Sequence, residues 1–198
     1  MNLPFDVVLA SRSPRRVEIL RRIIPEFDQD PADIDEEEHT TDDPWHTAEK
    51  LAEQKAQAVF DRHPSKLVIA GDTVVALPKA GQYELLAKPE STADAETMLR
   101  SLSGSKHLVI TGICLRWPGG ATTLHETTAV TFRDLSDEEI QEYVATGEPM
   151  DKAGGYALQG GAAKFVSQIE GSYSNVVGMP EERVVEALAA IEALFGQP

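Results

Sequence analysis

Residues 5–23 read FDVVLASRSPRRVEILRRI and contain a short apolar run, a polar loop and a helical apolar pattern in immediate succession. Residues 5–10 are short and mostly apolar, which is typical of a buried strand. Ser13 followed by Pro14 is the pattern of a helix N-cap with proline at the first helical position. The stretch therefore predicts a βα unit and indicates an α/β protein.

A second stretch, residues 107–132, contains two long β-rich runs on either side of Pro118-Gly119-Gly120. Two such runs joined by a tight turn predict a β-hairpin, so the sheet is expected to be mixed rather than wholly parallel. Further helices are predicted after Asp43, over residues 91–102, after Ser136 and after Pro180, and further strands over residues 67–77 and 164–169. We find no linker and no repeat, and we expect one α/β domain over residues 1–198, with a central mixed β-sheet flanked by helices.

The amino-acid composition and net charge of the chain argue against several classes of function. The chain has 18 Lys and Arg against 33 Asp and Glu, which gives a formal net charge of −15. Such a protein is not expected to bind nucleic acid polymers, because that binding depends on Lys and Arg that neutralise phosphates. No apolar run approaches the roughly 20 residues that span a bilayer, and the first residues lack a secretory signal pattern. The single cysteine, Cys114, cannot form an internal disulfide. We therefore expect a cytoplasmic protein.

The predicted first helix carries two cations where acidic residues are favoured. Arg15 and Arg16 follow Pro14 directly, so they lie in the first turn, at the positive end of the helix dipole. An anion in front of the helix would compensate for this arrangement, and Ser11 and the unpaired backbone N–H groups would help to bind it. The alternative is an ion pair between one of these arginines and the acidic stretch downstream, and the pattern alone does not separate the two.

Carboxylates that could hold a metal or activate water occur in two places. Residues 26–43 contain ten Asp and Glu and no Lys or Arg, which usually indicates a solvated loop. One or two of them could still bind Mg²⁺, which takes hard oxygen ligands. Asp72 follows Gly71 and an apolar run, which predicts a strand that bends or ends there and a ligand cleft at the end of the sheet. The alternative for Asp72 is a turn residue that bonds its own backbone.

Isolated lysines in apolar or small-residue surroundings are further candidates for anion binding. Lys55 lies on an apolar face of its predicted helix, Lys88 follows an apolar run, and Lys152 precedes a glycine-dense segment. A lysine directed inward needs an anion, which a phosphate would supply, although each could instead snorkel to solvent. Within the glycine-dense segment, Gln159 could read a nucleobase edge through its donor and acceptor groups. The alternative there is a β-bulge or hairpin without a ligand.

Taken in order, these motifs resemble the Maf family of nucleotide pyrophosphatases, named after a septum-formation inhibitor. The resemblance runs nearly from end to end, and several ordered motifs are more specific than any single one. The matching segments are LASRSPRR at 9–16, KLAEQKA at 50–56, GDTVV at 71–75, LAKP at 86–89, LSG at 102–104 with His107, TG at 111–112, residues 151–160, and GSYSNVVGMP at 171–180. Two mild departures are Ala70-Gly71 in place of the commoner Gly-Ala, and Met179 in place of leucine.

The resemblance implies a Maf/ITPase-like fold and hydrolysis of a nucleoside triphosphate between its α and β phosphates, with a divalent metal such as Mg²⁺ or Mn²⁺. In the family, the aspartate that matches Asp72 is the proton acceptor that activates water, and Glu36 matches a carboxylate of the same site. Both are candidate metal ligands. The positions that gather the phosphates match Ser11, Arg15, Arg16, Lys55 and Lys88. The positions linked to substrate choice match Arg15, Thr73 and Gln159.

The substrate and the assembly follow from the same resemblance. The pattern of Lys152 and Gln159 is similar to the branch that acts on dTTP, UTP and related or modified pyrimidine nucleotides, which would clear non-standard or excess nucleotides. Two alternatives remain: a nucleotide-binding regulator of cell division with little turnover, and a pyrophosphatase for a modified purine nucleotide. The resemblance also favours a homodimer.

Overall fold

Helices pack on both faces of a central sheet in the computed structural model, which describes residues 2–196. The strands are β1 (Val7–Leu9), β2 (Asp28–Gln29), β3 (Leu67–Lys79), β4 (Gln82–Leu86), β5 (Lys106–Trp117), β6 (Gly120–Phe132) and β7 (Val166–Glu170). The helices are α1 (Pro14–Ile23), α2 (Pro44–Phe60), α3 (Thr92–Leu102), α4 (Asp137–Ala145), α5 (Tyr173–Val177) and α6 (Glu181–Phe195). Short 3-10 helices cover Glu37–His39, Glu148–Asp151, Ala153–Gly155 and Gly161–Phe165. No helix within the described residues is long and apolar enough to cross a membrane.

The sheet has seven strands of mixed orientation, which confirms the predicted α/β fold class. Six strands follow the order β2-β1-β3-β5-β6-β7, and β4 pairs with β3 off this path. β1 is parallel to both of its neighbours, whereas the other pairs are antiparallel. The predicted hairpin is present as β5 and β6, which pair along their whole length.

Helices begin where the sequence predicts capping side chains. Ser13 caps α1 by accepting a hydrogen bond from the Arg16 amide, and Asp43 caps α2 in the same way. Ser136 and Glu139 form a capping box at the start of α4. Because these side chains satisfy N–H groups that have no partner inside the helix, they determine the residue at which it begins.

Other elements differ from the predictions. β1 has three residues rather than six, and β7 begins two residues later than predicted. The short elements β2, β4 and α5 were not predicted, and β2 consists of two exposed residues without an apolar pattern. The glycine-dense residues 154–161 form turns and parts of two 3-10 helices rather than a hairpin. Elements of two to five residues are too short to carry a clear periodicity.

The strand that was predicted to bend or end at Gly71 and Asp72 does not end there. β3 runs without interruption over thirteen residues, and its pairing with β5 continues past both positions. A Cβ atom at position 71 would lie 2.7 Å from Ile113 Cδ1 and 3.2 Å from the carbonyl oxygen of Gly112. Glycine therefore marks close packing inside the strand rather than its end.

The same strand has a short edge to which no neighbour is paired. On the side opposite β5, β1 pairs with β3 up to Ile69, and β4 pairs with it from Val75 onward. Within the described part of the chain, no strand pairs with residues 70–74 on that side. Asp72 therefore lies beyond the carboxyl end of β1, so the predicted cleft at a strand end is retained, but the strand that ends there is β1.

The core leaves room at this edge. One apolar cluster packs α3 and α4 against the sheet and includes Val75, while a second packs α1 and α6 against it and includes Ile69. Both residues share one face of β3, because side chains alternate along a strand. Gly71 and Thr73 lie between Ile69 and Val75 on that face. Neither residue has a large apolar side chain, so they separate the two apolar clusters. α2 covers the opposite face.

Candidate active site

The first helix points its N-terminus at the unpaired edge of β3. The chain leaves β1 after the Ala10 amide donates to the Ile69 carbonyl oxygen at 2.8 Å. It then turns through a loop in which Ser11 Oγ accepts a hydrogen bond from the Ser13 amide at 3.2 Å. The first turn of α1 contains no acidic residue. Its positive end therefore faces the cleft with two arginines and without a compensating carboxylate of its own.

Arg16 is fixed in place by hydrogen bonds rather than by an ion pair. Its Nε donates to the Gly178 carbonyl oxygen at 2.8 Å, and Nη2 donates to Thr73 Oγ1 at 3.0 Å. A longer contact of 3.5 Å joins Nη1 to Ser11 Oγ. Burial lowers the pKa of the guanidinium below its usual value, against the opposing effect of the Asp72 charge. An arginine remains charged after such a shift, so Arg16 brings a fixed positive charge to the cleft.

A chain of hydrogen bonds between hydroxyl and amide groups fixes the Thr73 side chain. Thr73 Oγ1 lies 3.0 Å from Thr111 Oγ1 on β5, and that hydroxyl donates to the Asn175 carbonyl oxygen at 3.0 Å. The buried Asn175 amide donates to the Val109 carbonyl oxygen and to Thr128 Oγ1. These bonds connect β3, β5, β6 and α5, so the position of Thr73 is set by four elements.

Arg15 differs from its neighbour. It lines the same cavity and is partly exposed, and within residues 2–196 no ion pair or side-chain hydrogen bond engages it. Arg16 makes no ion pair in the same range. The alternative was an ion pair between one of these arginines and the acidic stretch. The described residues do not contain such an ion pair. Arg15 keeps its donors available for an anion in the cleft.

Lys55 lies between two carboxylates on the other face of β3. Its Nζ is 2.5 Å from Asp72 Oδ1 and 2.7 Å from Glu36 Oε1. The side chains of Lys55 and Asp72 are only 13% and 12% exposed, whereas Glu36 is 45% exposed. The prediction that Lys55 points inward is confirmed, and its ammonium is shared by the two carboxylates that the sequence nominates.

The approach of α2 to the sheet positions Lys55. A Cβ atom on Gly112 of β5 would lie 2.2 Å from the carbonyl oxygen of Ala48 in α2. Only glycine permits that contact, and it lets the helix backbone rest directly on the strand. Lys55, two turns further along α2, then reaches the Asp72 carboxylate.

Glu36 is held as a carboxylate by its surroundings. Partial burial alone would raise its pKa, but the hydrogen bond from Lys55 and the positive charges of Lys55, Lys88 and Arg16 outweigh this effect. The pKa of Glu36 therefore lies below its usual value. Other acids of the same stretch pair elsewhere: Asp28 with Lys66, and Asp30 with Arg62 and His63.

Lys88 does not point inward as the sequence suggested. The residue is exposed, although it lines the mouth of the cavity and its charge acts on Glu36. Ala87 before it is also exposed, and only the flanking Leu86 and Pro89 are buried. The apolar run therefore ends at Leu86, and the lysine follows it into solvent at the rim.

The segment after α4 closes the far side of the cavity. Lys152 is 16% exposed and pairs with the exposed Asp151. Gln159 is exposed, and in the part of the chain described no hydrogen bond engages its side chain. Tyr156 is buried and contributes its ring to the wall, with its hydroxyl 2.8 Å from His107 Nε2.

All nine candidate residues line one cavity of about 920 Å³. They are Ser11, Arg15, Arg16, Glu36, Lys55, Asp72, Thr73, Lys88 and Gln159. The lining combines these cations and carboxylates with apolar side chains. The apolar walls include Val75, Val109, Met150, Ala153, Tyr156 and Val176.

Tyr156 and Glu148 are among the wall residues that the sequence did not nominate. Tyr156 lies in the glycine-dense segment, in which the sequence nominated only Gln159 as a base-reading residue. Two adjacent glycines, Gly160 and Gly161, signalled a close approach by another group. The sequence did not indicate that Glu148 is the residue that approaches.

The donor set suits a hard divalent cation held in part by a substrate. Asp72 Oδ1 and Glu36 Oε1 both contact Lys55 Nζ, at 2.5 and 2.7 Å, so the two carboxylates converge on one place. No group of three or more His, Cys, Asp or Glu that could hold a metal occurs within residues 2–196. Mg²⁺ commonly uses one or two protein carboxylates and completes its shell with water and phosphate oxygens. The residues present therefore fit a shared site better than a closed protein cage.

The fold has counterparts among solved structures. The Ham1 protein of Staphylococcus aureus is similar over 96% of this chain and 99% of that chain, with a TM-score of 0.53 and 15% sequence identity. At that identity the likeness concerns the α/β architecture alone.

Sequence comparison is more specific. The family model described as Maf-like protein matches residues 6–191. A relative from Koribacter versatilis named dTTP/UTP pyrophosphatase is 46% identical over 92% of this chain and 93% of its own length. A second relative of that name, from a Geobacillus species, is 47% identical over 91% of this chain and 95% of its own length. The chain belongs to the Maf family.

Proposed function

We propose that this protein is a nucleoside triphosphate pyrophosphatase that hydrolyses dTTP, UTP and related or modified pyrimidine nucleotides to the monophosphate and pyrophosphate. The observation that carries the proposal is the single cavity in which Asp72, Lys55 and the first turn of α1 meet. The names of the relatives support the same substrates.

The cations that line the cavity are suited to binding the triphosphate. A triphosphate carries about four negative charges, which a protein of net charge −15 can bind only where cations are concentrated. Arg15 offers unengaged donors, Arg16 supplies a fixed charge, and Ser11 supplies a hydroxyl beside the helix N-terminus. Lys88 at the rim adds a mobile charge where the chain of phosphates would leave the cleft.

Asp72 is the group placed to activate water. Its carboxylate is buried and oriented by Lys55, so it meets the substrate in one defined position. A general base needs to accept a proton from a water molecule within hydrogen-bond reach. We assign this role to Asp72, because Glu36, the other carboxylate on the same ammonium, is more exposed.

A divalent metal such as Mg²⁺ or Mn²⁺ is part of the proposal, with Asp72 and Glu36 as the residues that would hold it. Such an ion, when bound, polarises phosphate oxygens and offsets their charge. Lys55 contacts both carboxylates and so orients them toward one point.

The apolar side chains in the cavity wall are suited to binding the nucleoside. Val75, Val109 and the ring of Tyr156 provide walls against which a base can pack. Gln159 offers donor and acceptor groups that would distinguish one base edge from another. Thr73, the other position linked to substrate choice, has its hydroxyl bonded to Arg16 and Thr111, so we assign it a role through the position of Arg16. The homodimer that the family resemblance favours stays a prediction, as do the cytoplasmic location and the single domain over residues 1–198.

The test is pyrophosphate release by the purified protein with Mg²⁺ or Mn²⁺ across a panel of nucleotides. Asp72→Asn should lower kcat for dTTP and UTP by about 100- to 10,000-fold, the range for loss of a general base. Nucleotide binding should survive, since Lys55 keeps Glu36 as a partner. Asp42→Asn, at an exposed position in the acidic stretch, is the matched control.

Two outcomes would overturn the proposal. Wild-type activity in Asp72→Asn would remove Asp72 from the chemistry. Saturable nucleotide binding without any product would instead favour a nucleotide-binding regulator of cell division. A preference for a methylated or deaminated purine would keep the enzyme class and change the substrate.

A further inference from the structure

Gln159 depends on its backbone for its position. Its side chain is exposed at the cavity wall, and no hydrogen bond within residues 2–196 fixes the amide. An amide that reads a base edge discriminates well only if it is placed before the base arrives, because ordering it afterwards costs conformational entropy. The groups that hold residues 157–161 therefore control how well Gln159 can select.

Two side chains hold that backbone on either side of Gln159. The Ala157 amide, two residues before it, donates to the Tyr143 hydroxyl at 3.2 Å. The Gly161 amide, two residues after it, donates to Glu148 Oε2 at 3.1 Å. The Tyr143 hydroxyl in turn donates to Glu148 Oε1 at 3.2 Å. Tyr143 and Glu148 thus form one bonded pair that spans the segment.

The glycines beside Gln159 make this contact feasible. A Cβ atom on Gly160 would lie 1.8 Å from Glu148 Oε1. A Cβ atom on Gly161 would lie 3.0 Å from the ring of Tyr143. The absence of side chains at both positions lets the carboxylate and the ring reach the backbone, which gives the double glycine a local structural reason.

The chemistry of the pair admits one arrangement of protons. The Ala157 amide donates to the Tyr143 hydroxyl and the Gly161 amide donates to Glu148 Oε2, so Glu148 Oε1 accepts the hydrogen bond that the Tyr143 hydroxyl donates. Burial raises the pKa of Tyr143, as does the nearby Glu148 charge, so the phenol stays protonated and donates. The two donors reach separate oxygens of Glu148, and a glutamine there would present its carbonyl oxygen to one donor and its NH2 group to the other, so one of the two hydrogen bonds would be lost.

We propose that Glu148, acting with Tyr143, is a positioning residue for substrate selectivity, which holds the backbone around Gln159 so that its amide faces the base. This inference rests on the proposed pyrimidine nucleotide pyrophosphatase activity. Within residues 2–196 no ion pair or hydrogen bond joins Glu148 to the cations that we assign to the phosphates, and its bonds go to Tyr143, Thr146 and Gly161.

The experiment compares kcat and KM for UTP with those for GTP in wild type, Glu148→Gln and Tyr143→Phe. Each variant should raise KM for UTP roughly tenfold, the equivalent of one lost hydrogen bond, and should leave kcat within a factor of about two. The preference for UTP over GTP should fall by the same factor. Glu142→Gln, at an exposed residue of α4, is the matched control and should change neither constant.

A double-mutant cycle with Gln159→Ala separates positioning from general stability. In the Gln159→Ala background, Glu148→Gln should no longer alter the UTP/GTP preference. An equal loss in that background, or equal losses for both nucleotides in the single variant, would overturn the proposal. If Glu148→Gln fails to fold by circular dichroism, Tyr143→Phe carries the test. A wild-type enzyme that leaves dTTP and UTP intact would refute the proposed function itself, independently of any variant.

Discussion

Replacement of Arg16 by lysine tests whether the two neighbouring arginines of α1 have different roles. Arg16 donates to the Gly178 carbonyl oxygen and to Thr73 Oγ1 from separate nitrogen atoms at 2.8 and 3.0 Å. A lysine ammonium is a single point of charge on a flexible stem and cannot span both acceptors. At Arg15 the same change preserves charge at a position where no described group accepts a hydrogen bond from the side chain.

The expected loss follows from the bonds that are broken. A hydrogen bond from a charged donor contributes about 1.5 to 3 kcal/mol, and leaving a buried acceptor unpaired adds to the cost. Arg16→Lys should therefore lower the free energy of unfolding by about 2 to 4 kcal/mol. In a chain of this size each kcal/mol shifts Tm by about 2 to 4 °C, so Tm should fall by roughly 5 to 15 °C.

Urea unfolding and thermal melting measure this loss, and nucleotide kinetics complete the comparison. Arg15→Lys should change the free energy of unfolding by less than about 0.5 kcal/mol. Arg15→Gln should change Tm little while it raises KM for dTTP roughly tenfold or more, because it removes a cation that no ion pair or side-chain hydrogen bond engages within residues 2–196. Equal stability of Arg16→Lys and Arg15→Lys would refute the claim that Arg16 is held by these hydrogen bonds.

Two further changes test the sheet and the buried histidine. Burial lowers the pKa of His107 to about 4 from 6.5, so the unfolded chain binds more protons between these values and the free energy of unfolding should decrease as pH falls through this window. His107→Gln should flatten that slope in urea titrations at several pH values, and an unchanged slope, or the same change in the exposed His46→Gln, would contradict the assignment. Gly112→Ala should cost more stability and activity than Gly71→Ala, because its new Cβ meets the Ala48 backbone rather than a movable side chain. Similar Tm values for the two alanine variants would count against this packing argument.

Local chemistry made much of the fold predictable from the sequence. Ser13 with Pro14, and Ser136 with Glu139, determine helix starts through bonds that span at most three residues. The β5-β6 hairpin follows from two apolar runs and one tight turn for the same reason. Features of this kind depend on neighbours in sequence, so a single chain without relatives is enough to predict them.

The site depends on contacts between residues that are distant in sequence, which local sequence patterns do not predict. Asp72 was expected at the end of its own strand, but the edge it occupies is created by the end of β1 and the start of β4. Lys55 and Lys88 looked alike in sequence, yet only Lys55 is on a helix that packs against the sheet. The family resemblance nominated the residues, whereas their spatial roles required the pairing pattern.

The register of β3 links the two halves of the proposed reaction. Asp72 and Thr73 are consecutive, so the pleat directs one to Lys55 on α2 and the other to Arg16 on α1. A shift by one residue would exchange every side chain between the faces and would place the threonine beside Lys55. The long antiparallel pairing with β5 prevents such a shift and continues through the region where β3 has no other neighbour. The strand can therefore keep an open edge while Asp72, the proposed base, and the Thr73 hydroxyl stay on opposite faces.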